Sequence, residues 1–199
     1  MAHDSDRTPM LADAIMLDRE IGEIQAGLAD RLSWLDVAFG RAQKIVSIES
    51  GKRYIRPSVY CGYRTKGQGK NDYIDVLPDS KIGNFCFFEA RDPQELEPSP
   101  WIRRITAPIS IIFWFDMRRI FGRDDYRNTE RVKAQILKVL GGRDGWVLPF
   151  GRLTINRTYE ETANIYRGYT LDEVDAQCMI HPFAGIRFDG VLEFNEVCE

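Results

Sequence analysis

The chain has 199 residues, a formal charge of −3, and 44% hydrophobic against 29% charged residues. That balance can bury a core and excludes disorder over the whole length, and the length suits one domain better than two. With a pI of about 5.6 no global positive field draws the chain to nucleic acid, and no apolar run reaches the ~20 residues that span a bilayer.

Met1 to Pro9 is polar and lacks the apolar core of a signal peptide. Residues 1–10 are therefore expected to be a disordered leader, followed by a single domain over residues 11–199. Leu17, Ile21, Ile24, Leu28, Leu32 and Leu35 recur at helical spacing, which predicts a long helix from about Leu11 to about Trp34, laid across a sheet. Lys44 to Glu49 and Lys52 to Tyr60 are rich in Ile, Val and Tyr and flank Ser50-Gly51, the pattern of a hairpin. Pro57 places the second strand at an edge or makes it irregular there. Residues 62–80 form a first excursion, whose Gly-rich part, 62–72, reads as a mobile loop. Asn84 to Glu89 (NFCFFE) reads as an aromatic strand. A second excursion covers 89–105, where Pro93, Pro98 and Pro100 stand among acidic residues and predict an extended, unpaired run.

Ile109 to Phe115 (ISIIFWF) is apolar on both faces, as a strand at the centre of a sheet and covered on both sides must be. Asn128 can cap a second helix whose stripe is Val132, Ile136, Val139 and Leu140 and whose stop is Gly141-Gly142. Gly151 to Arg157 alternates as a strand does. Thr170 and Glu173 have the spacing of a capping box, so a short helix is predicted from there towards His181-Pro182. Ile186, Phe188, Leu192 and Phe194 share one parity, while Arg187, Asp189, Glu193 and Asn195 share the other. This predicts a long closing strand with one buried and one wet face. The order of elements implies an α+β fold: a mainly antiparallel sheet with the long N-terminal helix and the second helix packed on one face.

Reactive chemistry finds few residues to work with. Of two histidines, His3 lies in the leader, leaving His181, which suits a structural role at a helix end better than a catalytic one. The cysteines Cys61, Cys86, Cys178 and Cys198 have neither metal spacing nor a disulfide framework and read as reduced thiols, mostly core fillers. The glycines at 62, 67 and 69 fail phosphate-loop spacing, because Gln68 stands where a lysine is needed and Asn71 follows Lys70. No cofactor is expected. One enzyme pattern stands out: Pro78-Asp79 followed by Glu89-Ala90-Arg91 resembles the PD-(D/E)-x-K arrangement, in which two carboxylates hold Mg²⁺ and a lysine positions water. Here Arg91 replaces that lysine, and a guanidinium is no free substitute for an ammonium. The basic stretch from Arg118 to Lys133 is interleaved with acids and reads as a solvated surface with local ion pairs. Phe85, Phe87 and Phe88 read as core.

The long first helix leading into Pro57-Ser58-Val59-Tyr60, the strand ISIIFWFD, the helix NTERVKAQILKVL and the closing strand AGIRFDGVLEFNE resemble phage tail-terminator and minor tail proteins. WLDVAFGRAQ, RNTERVKAQIL and IYRGYTLDEVD carry the likeness, which covers most of residues 11–196. The resemblance implies a non-enzymatic structural or assembly protein of a phage or prophage, a tail terminator or head–tail joining component. Such a protein assembles in the cytoplasm into the virion. It implies a homo-oligomeric ring and contacts with other tail or head-joining proteins, with no membrane and no nucleic-acid partner. Arg64, Lys66 and Lys70 in the Gly-rich loop, and Trp101, Arg103 and Arg104 after the Pro-rich run, are the candidate contact residues. The alternatives are a metal-dependent nuclease built on Asp79 and Glu89, and a protein-binding adaptor.

Overall fold

The computed structural model describes residues 14–60, 73–97, 102–122, 128–141, 145–149 and 151–197. Helix α1 (Met16–Arg31) leads into a hairpin, β1 (Val37–Glu49) and β2 (Lys52–Tyr60), and the short strand β3 (Tyr73–Asp75). Next come β4 (Phe85–Ala90), β5 (Glu95–Glu97) and the long β6 (Ile102–Asp116), then helices α2 (Met117–Phe121) and α3 (Thr129–Val139). The chain closes with β7 (Trp146–Val147), β8 (Gly151–Tyr159), the single-turn helices α4 (Thr162–Ile165) and α5 (Glu173–Gln177), and β9 (Phe183–Val197).

The strands make one mixed, mostly antiparallel sheet in the order β3-β2-β1-β4-β6-β9-β8-β7, with β5 beside this path on β6. Among the described strands only β1 and β4 run parallel. The fifteen residues of β6 pair along their whole length with β9, Ile102 opposite Val197 and Asp116 opposite Phe183. That ladder is the spine, and its composition explains why. Ile105, Ala107, Ile109, Ile111, Phe113 and Phe115 of β6 bury themselves under α1 and α3 with Leu17, Ile24, Leu28, Val132 and Ile136. Ile112 and Trp114 turn to the opposite face and pack with Phe85, Phe87, Ile165, Tyr166 and Met179. Each such side chain contributes roughly 1.5–3 kcal/mol when fully buried. The second face is thus covered by the chain's own connection between β8 and β9.

The helices begin and end for local reasons. Asn128 accepts a hydrogen bond from the Arg131 amide at 3.0 Å and so caps α3, and Gly141 follows it with a positive φ of 88°. α1 is shorter than its apolar stripe: Leu32 and Leu35 are buried, yet the chain leaves the helix at Leu32 and bends into β1. The predicted unpaired run after Glu89 is partly strand. Pro93, Pro98 and Pro100 flank Glu95–Glu97, whose amides are intact, and these three residues pair with Thr106, Ile105 and Arg104. Among the described residues, no helix is long and apolar enough to cross a membrane.

Candidate functional site

The hairpin is where the sheet leaves the body of the protein. β1 pairs with β4 only between Val37 and Arg41, while its pairing with β2 continues from Ala42 to Glu49. The two strands turn at Ser50 (φ 50°) and Gly51 (φ 79°), both left-handed, as a two-residue type I′ turn requires. The Ile55 amide donates to Thr170 Oγ1 at 3.2 Å, and the Thr170 amide donates to the Ile55 carbonyl at 2.8 Å. These bonds staple the outer edge of β2 to the β8–β9 connection. They also show why Pro57 is tolerated: its carbonyl likewise faces outward, accepting from Val76, so the missing N–H lies on the side away from β1.

Beyond that staple the hairpin is a two-stranded arm. Beyond Val46, which lies opposite the stapled Ile55, residues 47–49 reach about 10 Å at the usual strand rise. Val46 and Ile48 lie on one side of the arm and are 51% and 76% exposed, and Ile45 on the other side is 37% exposed. Isolated two-stranded ribbons are marginal in water, and β-branched apolar residues left wet forfeit their burial energy. At the tip, Lys52 and Arg53 make no ion pair among the described residues, whereas Arg56 is held by Glu49 at 3.0 Å and Asp75 at 3.5 Å.

A second polar feature lies under the β8–β9 connection. Arg187, only 1% exposed, bonds Glu89 Oε2 at 2.5 Å, Asp189 Oδ1 at 2.9 Å and Ser110 Oγ at 2.9 Å. Ser110 donates to Asp189 at 2.6 Å. Arg167 and Arg91 reach the other oxygen of Asp189 at 2.7 Å and 3.3 Å, and Lys44 reaches Glu89 Oε1 at 3.1 Å. Burial pushes the Asp189 carboxyl up, but its hydrogen bonds to Ser110 and Arg187 and the charges of Arg187 and Arg91 outweigh that and hold it below the usual aspartate value. Burial pushes the neighbouring Tyr169 phenol up, and the charge of Glu89 adds to the effect. Each carboxylate here is already satisfied by cations. The network ties β4, β6 and β9 to the segment that covers them, and the expected wet parity of β9 is buried at Arg187 and Asp189 for that reason.

The residues singled out in the sequence fall in different places. Glu89 lies in this network, with both oxygens on cationic partners. Asp79 lies in a turn, where one carboxylate oxygen accepts from the Lys81 amide at 2.8 Å. Arg91 is the partner of Asp189 and not of Asp79. Among the described residues, no group of three or more His, Cys, Asp or Glu is arranged to hold a metal ion. Arg103 and Arg104 are exposed on β6, Arg104 paired with Glu193 at 3.0 Å. Arg64, Lys66, Lys70 and Trp101 lie outside the described residues, as do Cys61 and Cys198. Cys86 is buried in the helix-side core and Cys178 is half-buried. In the basic stretch, Arg118 pairs with Asp116, Arg119 with Asp36, and Lys133 with Glu130 and Glu160. Val46 and Ile48 alternate in the sequence, but their exposure follows from the pairing of β1 with β4 ending at Arg41, which the sequence alone does not show.

No protein-family model matches the chain, and no curated protein matches it.

Proposed function

We propose that this protein is a non-enzymatic structural or assembly subunit of a phage or prophage, acting as a tail terminator or head–tail joining component. It works by closing a ring of identical copies and presenting that ring to neighbouring tail or head-joining proteins, in the cytoplasm during assembly and then in the virion. The observation that carries the reading is the stapled arm, which projects from a sheet sealed on one face by α1 and α3 and partly covered on the other by the β8–β9 connection. The exposed β-branched residues of the arm suit contact with another polypeptide. Asp79 and Glu89 add no support to the nuclease alternative, since Glu89 is engaged by Arg187 and Lys44. The test is the mass of the full chain in solution by light scattering across a wide concentration range. A closed oligomer is expected, and a monomer throughout contradicts the proposal.

A further inference from the structure

The same subunit carries a surface that complements the arm. Residues 92–97 (Asp92, Pro93, Gln94, Glu95, Leu96, Glu97) are all exposed and hold three acids and no base. Neither Asp92 nor Glu95 makes an ion pair among the described residues, and Leu96 is 56% exposed. β5 is hydrogen-bonded to β6 on one side, and no strand covers its other edge among the described residues, so its outer backbone groups are available to a further strand. The arm offers the converse: Lys52 and Arg53 at the tip, Val46 and Ile48 along one side, and a two-stranded ribbon as the backbone partner.

Resting on the ring reading above, we infer that the arm of one copy docks on the 92–97 strip of the next copy. Two cations and two carboxylates, each without an ion pair among the described residues, meet, and exposed Val46 and Ile48 meet exposed Leu96. The two surfaces belong to different strands and are unlike each other, so the contact is heterologous. Repeated around an axis, such a contact closes a ring if the rotation closes, whereas a self-complementary patch stops at a dimer. Opposite charges at the two surfaces also fix which copy-to-copy orientation is allowed.

The experiment is a charge swap read by light scattering on the full chain. Lys52→Glu with Arg53→Glu in one protein, and Asp92→Lys with Glu95→Lys in another, are each expected to raise the concentration needed for assembly at least tenfold. Combining all four substitutions is expected to recover most of the loss. Leu96→Ser, which changes no charge, is expected to weaken assembly in the same direction, and far-ultraviolet circular dichroism checks that each variant is folded. If the native chain assembles and the reversals leave its assembly unchanged, the docking inference is wrong while the ring reading stands. Weakening without recovery in the combined variant also overturns the pairing. A native chain that stays monomeric overturns the ring reading, and the inference with it.

Discussion

Arg187 shows how a buried charge is made tolerable. Its guanidinium is covered, so its cost is offset only because Glu89, Asp189 and Ser110 all reach it. Arg187→Met leaves two buried carboxylates short of their main partner and is expected to lower stability by about 3–5 kcal/mol, measured by urea unfolding near neutral pH. Asp189 gives the matching pH dependence. Its carboxyl is held below the ordinary 3.8 in the folded protein. The folded state therefore binds fewer protons than the unfolded chain near that value, and the stabilisation is full above it and lost as pH falls through the folded value. Glu20 has the opposite sign. Its side chain is fully covered and Oε2 has no hydrogen-bond partner among the described residues. Burial raises its carboxyl above the ordinary 4.5 against the lowering effect of Arg19, with Glu23 and Glu196 adding to the rise. The folded state then holds the proton more tightly, so stability drops as pH climbs from 4.5 through the folded value. Glu20→Gln is expected to remove that drop and to raise the melting temperature at neutral pH, as a thermal scan against pH will show. Nothing in the sequence marked Glu20, because a glutamate beside Arg19 on a helix looks like any solvated residue until the helix's orientation is known.

The elements divide into those with a local cause and those with a tertiary one. The cap at Asn128, the turn at Ser50-Gly51 and the two-faced strand β6 follow from residue chemistry alone and were readable in the sequence. Asn128→Ala is accordingly expected to cost about 1 kcal/mol in chemical denaturation. Thr170 is the instructive failure. Its spacing to Glu173 imitates a capping box, but its hydroxyl is taken by the Ile55 amide. The cap passes instead to Asp172 and Asp175, where the Asp175 amide donates to Asp172 at 2.9 Å and the Asp172 amide donates to Asp175 at 3.3 Å. A long-range hydrogen bond overrode a local pattern with the same spacing. Thr170→Val keeps the shape and loses the bond. It is expected to cost about 0.5–1.5 kcal/mol and to speed hydrogen exchange in the arm more than in β6. β5 and β7 are three and two residues long, too short to show a period, and only their pairing with longer strands makes them strands. The buried parity of Arg187 and Asp189 was hidden for another reason: its cover comes from the β8–β9 connection, whose packing leaves no periodic trace.

Across the whole molecule, the fold separates a closed body from an open appendage. Helices α1 and α3 seal one face of the sheet, and the β8–β9 connection with its ionic network seals part of the other. The class of the fold was readable because β6 had to be central and the helices were few. The candidate contact surface was not, because exposure of Val46 and Ile48 depends on where β4 stops, which is a property of the assembled sheet. The central claim is that the arm exists to hold a neighbouring copy. That claim requires first that copies of the chain associate into a closed oligomer, and light scattering of the native 23.0 kDa chain across a wide concentration range tests this requirement most directly. The expected result is a mass that rises to a fixed multiple of the subunit and then stays constant. A mass of one subunit at every concentration would contradict the claim.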